Sequence, residues 1–494
     1  MMKRSVVVLT LLLITSTISA APYVPPGEIT WGFVQSGATP DTNVPRTRSD
    51  YLAELEEIAD FLATWQLDDP GNEEHGGMIE DEFHPPEDRI IESDNTQEAI
   101  WVWSRYHELM GDVRYAGNVS AAWEYLQHFP AWEEAPPQFP DSYYIIWNCG
   151  WGMRCEMQYR HATGDETFRD YGVTCADYLL DHEPRLDHPS AGTNLLHHLT
   201  VAWTAWNLHA YATEAGRQDW LDRAEYWADL IKTWVEEDTD RINSFAWALG
   251  GGLGPACVLE VLFNADPGGA ATWRDTFLTG LVLLFPPDHD PNPVGSDWMN
   301  AWNSWQALAQ SALWRTTGGF DHRLNALDIS DHLRSLDGDD DGGIPASEND
   351  DDDHDQTWVS TYITLMGFAD LEEPPRLLLS MEDTQLEPGD TFRTVTTIQN
   401  PGLEAGVDLY IALEVYGSFF FFPDWQEAAV AIPLDLPIGY DLARDLVGAD
   451  WIPILEFTWP PAVGIFTATW WGVMLEPGST EVVGDILNFE WSAV

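Results

Sequence analysis

Between residues 50 and 370 the apolar positions recur at helical spacing, and beyond residue 375 the pattern gives way to short β-rich runs broken by Pro-Gly and Asn-Pro. The helical part is punctuated by six glycines, Gly111, Gly164, Gly216, Gly269, Gly319 and Gly367, spaced 48 to 53 residues apart. A period of that length is one helical hairpin repeated six times. The first four glycines are followed four residues later by Tyr115, Phe168, Trp220 and Trp273. The pattern predicts that each glycine ends one helix and opens its partner.

Written out, the spacing predicts helices over 50–65, 95–110, 115–129, 143–162, 168–182, 194–214, 219–235, 243–263, 270–285, 297–316, 321–335 and 355–368. The first lacks a preceding partner and the last a following one, so a ring closes when residues 51–65 pair with 358–368. The predicted fold is a mainly α, multidomain chain: an (α/α)6 toroid over 49–370, a linker over 371–376 and an immunoglobulin-like β-sandwich over 377–494. Long connections alternate with the short glycine turns and therefore all emerge at one end of the ring. They run over 66–94, 130–142, 183–193, 236–242, 286–296 and 336–354, and lead into Asp94, Asp141, Thr193, Asn243, Asp297 and Asp355. Each of these six has the plain reading of a helix cap.

The first twenty residues read as a signal peptide: Lys3 and Arg4, the apolar run Val6 to Ile14, and small Ala20 before a cut. An extension over 21–48 follows. The expectation is a secreted or periplasmic protein without membrane insertion. Four cysteines fit an oxidising compartment, and a disulfide is expected between Cys155 and Cys175, which flank Gly164; Cys149 and Cys257 have no evident partner. With 82 acidic against 22 basic residues, the net charge of −60 opposes binding to nucleic acid and anionic lipid, and opposes polyanionic substrates as well.

The sharpest local motif is Asp337-Gly338-Asp339-Asp340-Asp341-Gly342-Gly343-Ile344-Pro345-Ala346-Ser347-Glu348. Over these twelve residues it resembles an EF-hand calcium loop. The resemblance implies calcium ligation by Asp337, Asp339, Asp341, the Gly343 carbonyl and Glu348, with Gly342 at the sharp turn and Ile344 pointing inward. Pro345 and the acidic run 349–353 stand where that family has its exiting helix. The implied ion is structural.

Further chemistry gathers at the long-loop end. His75-Gly76-Gly77 brings a histidine to the rim, and the carboxylates Glu80, Asp94, Glu98, Asp141, Asp297 and Asp355 are candidate acids and bases. For a lyase the candidate bases are His75, His197 and Tyr144. Tyr144, Trp147, Trp151, Trp298, Trp302 and Trp358 mark the early turns of the helices that follow the loops. Aromatics around a carboxylate-rich mouth suit sugar rings, whose apolar faces stack while their hydroxyls need acceptors, and for each residue singly core packing is the plain alternative. Gly150 and Gly152 inside a predicted helix imply either close helix packing or a ligand.

The architecture resembles the α/α toroids: six-hairpin glycosidases, toroidal polysaccharide lyases and the terpenoid cyclase group. Asp350 to Asp353 match the acidic motif of the cyclases, but the repeated Gln-Trp pattern of those enzymes is missing. The resemblance implies a secreted glycoside hydrolase or polysaccharide lyase acting on a neutral glycan. The alternative is a non-catalytic exported protein whose calcium-stabilised toroid binds a glycan or another protein.

Overall fold

A computed structural model describes residues 48–82, 89–133, 143–184, 196–237, 252–279, 299–317, 319–345 and 355–367 of the helical part. Of the β-rich part it describes 376–381, 385–387, 391–399, 405–421, 425, 427–429, 431–436, 452–458 and 466–493. Residues 1–47, with the expected signal peptide and extension, lie outside the described residues, as do Asp141, Thr193, Asn243, Asp297, Trp298 and Glu348 and the side chains of His197 and Trp302.

Two compact units result, one spanning Ser49–Ala369 and the other containing Asp370–Val494. Among the described residues the first contains twelve helices. Six form an inner ring: α2 (Ser93–Met110), α4 (Tyr143–Thr163), α6 (Leu196–Ala215), α8 (Leu253–Ala265), α10 (Met299–Thr317) and α12 (Thr357–Tyr362, continued as a π turn over Ile363–Gly367). Each packs on the next in chain order, and α12 closes the circle against α2. The outer helices are α1 (Arg48–Thr64), α3 (Ala116–His128), α5 (Arg169–Asp181), α7 (Gln218–Glu237), α9 (Pro267–Trp273, continued as a π turn over Arg274–Leu278) and α11 (Phe320–Arg334). This is the expected (α/α)6 toroid.

The first and last helices of this unit meet to close it. Tyr51 Oη on α1 donates to Asp331 Oδ1 on α11 at 2.9 Å, and Trp103 Nε1 on α2 donates to the Ala59 carbonyl at 3.0 Å. Two short strands, β1 (Met78–Ile79) and β2 (Ile91–Glu92), pair antiparallel just before α2. A bridge from Asp81 to Gln356 attaches this ribbon to the connection that enters α12, and one from Pro345 to Asp355 pairs that connection with itself.

The six periodic glycines are not equivalent. Gly111, Gly164 and Gly216 hold φ of 65°, 69° and 65°, the left-handed region in which an L side chain is strained, and they end α2, α4 and α6 as expected. Gly269 departs from the expectation: it lies inside the first turn of α9, whose start is set by Pro267, and Asp266 alone separates α8 from α9. Gly319 flanks α11 at an ordinary negative φ.

In the second unit β4, β11, β10, β6 and β7 lie in that order, with β8 (Ile432–Leu436) beside β6. Their ranges are Gln385–Leu386, Val482–Ala493, Phe466–Leu475, Ala405–Val415 and Ser418–Phe421. A second sheet orders β3 (Arg376–Met381), β5 (Thr391–Gln399) and β9 (Ile452–Thr458). Alternate residues Val407, Leu409 and Ile411 of β6 and Ala468, Trp470 and Met474 of β10 enter one core with Leu377 of β3 and Ile398 of β5. The period of two thus places one face of each sheet in a shared apolar interior.

Candidate active site

All the inner helices begin at the end of the ring where the long connections emerge, and α2 begins there in an unusual way. Its first six residues, Ser93-Asp94-Asn95-Thr96-Gln97-Glu98, are all polar, and all are between 0% and 8% exposed. Polar groups taken from water without a partner cost roughly 1–3 kcal/mol each, so such a run needs a dedicated environment. Most of it has one. Asn148 Nδ2 donates to Ser93 Oγ at 3.0 Å, Thr96 Oγ1 donates to the Glu92 carbonyl and accepts from Met78 N, and Gln97 Nε2 donates to Tyr171 Oη at 3.0 Å.

Asp94 and Glu98 sit one helical turn apart, with contrasting surroundings. Asp94 accepts from Tyr144 Oη at 2.8 Å and from Trp147 Nε1 at 3.1 Å, both on α4. Its pKa is raised, because burial outweighs the opposing pull of these two donors and of backbone N–H groups, a pull that Glu98 has to a lesser extent. Neither carboxyl oxygen of Glu98 has a hydrogen-bond partner. Its pKa stands well above the usual carboxylate range, first through burial and then through the charges of Asp94 and Glu80. The Tyr362 hydroxyl on α12 acts in the opposite sense without reaching hydrogen-bond geometry. The environment of Glu98 therefore favours its neutral form, which can donate a proton. Tyr144 Oη also bonds Glu92, and since one phenol carries one proton it cannot donate to both carboxylates at once.

The structure brings together Glu80, Asp94, Glu98, Tyr144 and Trp147, as candidates read from the sequence. Trp151 is fully buried, 5.0 Å from the Trp203 ring and parallel to the Tyr362 ring at 6.2 Å. It is packing between inner helices rather than an open stacking surface. Trp358 is half-buried, edge-on to Tyr362 at 5.3 Å, with Nε1 on Gln356 Oε1. His75 is placed apart: its Nδ1 lies 3.9 Å from Asp68, and the glycines after it pack on outer helix α3, where a Cβ on Gly76 would strike the Ala121 carbonyl. Tyr362 was not a sequence candidate. The signal that could have found it is its place one turn beyond Trp358 on the same face of α12.

Gly150 and Gly152 are explained by packing. A Cβ on Gly150 would meet the Trp203 ring at 3.0 Å, and one on Gly152 would meet Cys175 Sγ at 2.7 Å. The expected disulfide is not formed, because all four cysteines are free and buried. Cys175 interacts with Cys149 instead, and Cys155 Sγ turns to the Gly152 carbonyl at 3.4 Å.

A second carboxylate group lies on the connection before α12. Oxygens of Asp337, Asp339 and Asp341 fall within 4.8 Å of one another. Asp337 accepts from the backbone N of Asp341 and Gly342, and Asp341 Oδ1 accepts from Gly343 N at 2.7 Å. Gly342, at φ 87°, lies against the Glu57–Ile58 backbone of α1, and Ile344 is fully buried. Asp355 lies beside this group across Gly343, and its carboxyl is pushed up to about 9 by burial and then by Glu82, Asp341, Asp339 and Asp337. Asp355 is not a helix cap, since Gln356 takes that place before α12.

No family model matches the chain, and no curated protein matches it in sequence. Among solved structures it is similar to an inactive variant of the alpha-1,6-mannanase GH76A of Salegentibacter sp. HEL1_6 in complex with alpha-1,6-mannotriose. That match has 12% identity and a TM-score of 0.46, and covers 64% of this chain and 98% of the other. A polysaccharide lyase matches at 12% identity and a TM-score of 0.46, over 64% of this chain and 52% of the lyase, so the chain spans about half that protein's length. A GH127 beta-L-arabinofuranosidase from Geobacillus stearothermophilus T6 matches at 9% identity and a TM-score of 0.40, over 89% and 91% of the two chains. The likeness is one of fold alone. Among the described residues no helix is long and apolar enough to cross a membrane.

Proposed function

We propose that the chain is a secreted or periplasmic carbohydrate-active enzyme, a glycoside hydrolase or polysaccharide lyase, acting on a neutral glycan at the start of α2. The observation that carries this reading is the contrast between Asp94 and Glu98. Sugar-bond hydrolysis needs one carboxyl kept protonated and another kept ionised, about 5–9.5 Å apart. Cβ atoms at i and i+4 of a helix lie about 5–6 Å apart, so neighbouring turns can supply such a pair. Glu98, without donors, is the acid that protonates the departing glycosidic oxygen. Asp94, held by Tyr144 and Trp147 near the positive end of α2, is the carboxylate that activates water or stabilises developing positive charge on the sugar.

The net charge of −60 favours a neutral glycan over a polyuronate, and hydrolysis over elimination. Calcium is the proposed ion for the loop at Asp337, Asp339 and Asp341, in a structural role, and an immunoglobulin-like accessory sandwich is the proposed nature of the C-terminal unit. The test is to incubate the full mature chain with a panel of neutral and acidic glycans and to follow reducing ends and absorbance at 235 nm. New reducing ends that vanish in Glu98→Gln support the hydrolase reading, and unsaturated ends establish a lyase. Glycan binding without turnover would leave the toroid as a binding protein.

A further inference from the structure

The twelve-residue spacing assigns the closing ligand of the acidic loop to Glu348, yet another carboxylate already stands at the loop. Asp355 is 2% exposed, and its Oδ1 has no hydrogen-bond partner. A Cβ built on Gly343 would lie 2.3 Å from Asp355 Oδ2 and 2.8 Å from Asp341 Oδ1, so these two oxygens are within about 5 Å of each other across a glycine that leaves the space open. Asp337 and Asp339 also act on Asp355 through their charges, after Glu82 and Asp341. Asp355 thus brings to the loop a buried carboxylate with one oxygen, Oδ2, near Asp341 Oδ1 and the other, Oδ1, without a donor, among neighbours of its own sign. A hard divalent cation satisfies all four at once, since calcium takes six to eight oxygen ligands at about 2.3–2.6 Å.

We propose that Asp355 closes a calcium site with Asp337, Asp339 and Asp341, in the place that the sequence spacing gives to Glu348. The inference rests on the calcium reading above and adds a ligand from outside the motif. It also gives the ion a task. Asp355 is hydrogen-bonded to the segment after β1 in both directions: Glu82 N donates to its carbonyl at 3.3 Å, and its own N reaches Glu82 Oε1 at 3.4 Å. Two residues on, Thr357 N donates to the Glu80 carbonyl at 3.0 Å. Fixing Asp355 therefore fixes the segment that carries Glu80, whose charge acts on Glu98.

The experiment is calorimetric titration of calcium chloride into the chelator-treated full chain, for the wild type, Asp355→Asn and Glu348→Gln. The expected results are saturable binding by the wild type, a loss of about tenfold or more in Asp355→Asn, and affinity within about threefold of wild type in Glu348→Gln. Wild-type affinity in Asp355→Asn, or loss of binding in Glu348→Gln, overturns the assignment of Asp355 while leaving calcium binding in place. No binding by the wild type overturns the calcium reading itself. Thermal melting in chelator guards against misfolding: Asp355→Asn is expected to melt no lower than the wild type, because it removes one of the mutually repelling charges. Hydrogen exchange adds a readout of the coupling, with amides 79–82 slowed by calcium in the wild type and not in Asp355→Asn.

Discussion

Two carboxylate clusters stand at the same end of the ring and solve the burial of negative charge in opposite ways. At the start of α2 the protein itself supplies donors: Tyr144 and Trp147 on Asp94 and Asn148 on Ser93. Glu98 is left out of that network, and burial shifts it toward the neutral form. Around Asp355 the neighbouring groups named by their charge are Glu82, Asp341, Asp339 and Asp337, all of one sign. The first arrangement separates two carboxyls by their hydrogen bonds, which suits the handling of a proton. The second gathers carboxylates of equal standing, which suits a cation. A group of acidic residues is thus informative through what surrounds it.

The largest effect that would break this contrast is on turnover. Glu98→Gln is expected to lower kcat by about 10²–10⁴-fold, the usual contribution of a positioned general acid, while the melting temperature stays near that of the wild type. An equal loss of stability would instead make Glu98 a packing residue, as measured by steady-state rates beside thermal melting. On the cation side, calcium at about one hundred times its dissociation constant is expected to stabilise the chain by about 2.7 kcal/mol, reversed by chelator. Scanning calorimetry with and without calcium reads this directly.

Smaller effects sharpen the comparison. Gly152→Ala pushes a methyl group toward Cys175 Sγ and should cost about 1–3 kcal/mol by denaturant titration, because α4 cannot withdraw without moving Tyr144 and Trp147. The pH dependence has a definite sign. Glu98 has a raised pKa in the folded chain, so the native state holds its proton at pH values where the unfolded chain has lost it. Its contribution is fully favourable below the unfolded pKa of about 4.5 and is lost as pH rises through the folded value. Stability should therefore decline as pH rises above about 4.5, and less steeply in Glu98→Gln. Tyr144→Phe removes one donor to Asp94 and should move the acidic limb of the rate profile upward, by about one unit.

The ring was legible in the sequence because helical periodicity and glycines in the left-handed region are local signals, and Gly111, Gly164 and Gly216 fall where the expectation put them. Gly269 misled because Pro267 is the stronger local signal and starts α9 two residues earlier. Glu80, Asp94, Tyr144 and Trp147 could be named because a ring with one loop-rich end gathers the starts of its inner helices. The separation of Asp355 from them was not legible, since it depends on the bridge to Pro345 and on the space above Gly343. Trp151 was read as a possible sugar platform because its type is right, and only its contacts with Trp203 and Tyr362 make it core. The cysteines failed for a similar reason: spacing around Gly164 placed Cys155 and Cys175 on facing helices but said nothing of how their thiols turn.

The clasp between the two ends of the helical unit has a kinetic consequence. Tyr51 bonds Asp331, 280 positions along the chain, and the Thr357 hydroxyl bonds the carbonyl of Ile79, 278 positions back. Contacts so distant in sequence form only after a large loop has been closed, and chains rich in them fold slowly. Five hairpins can assemble as they are made, but the polar start of α2 acquires its last wall, α12, only when the chain has been completed to residue 367. The polar start of α2 is therefore the last part of the ring to be enclosed, and a chain cut before Asp355 should keep most of its helices but leave Glu98 without the wall that α12 provides.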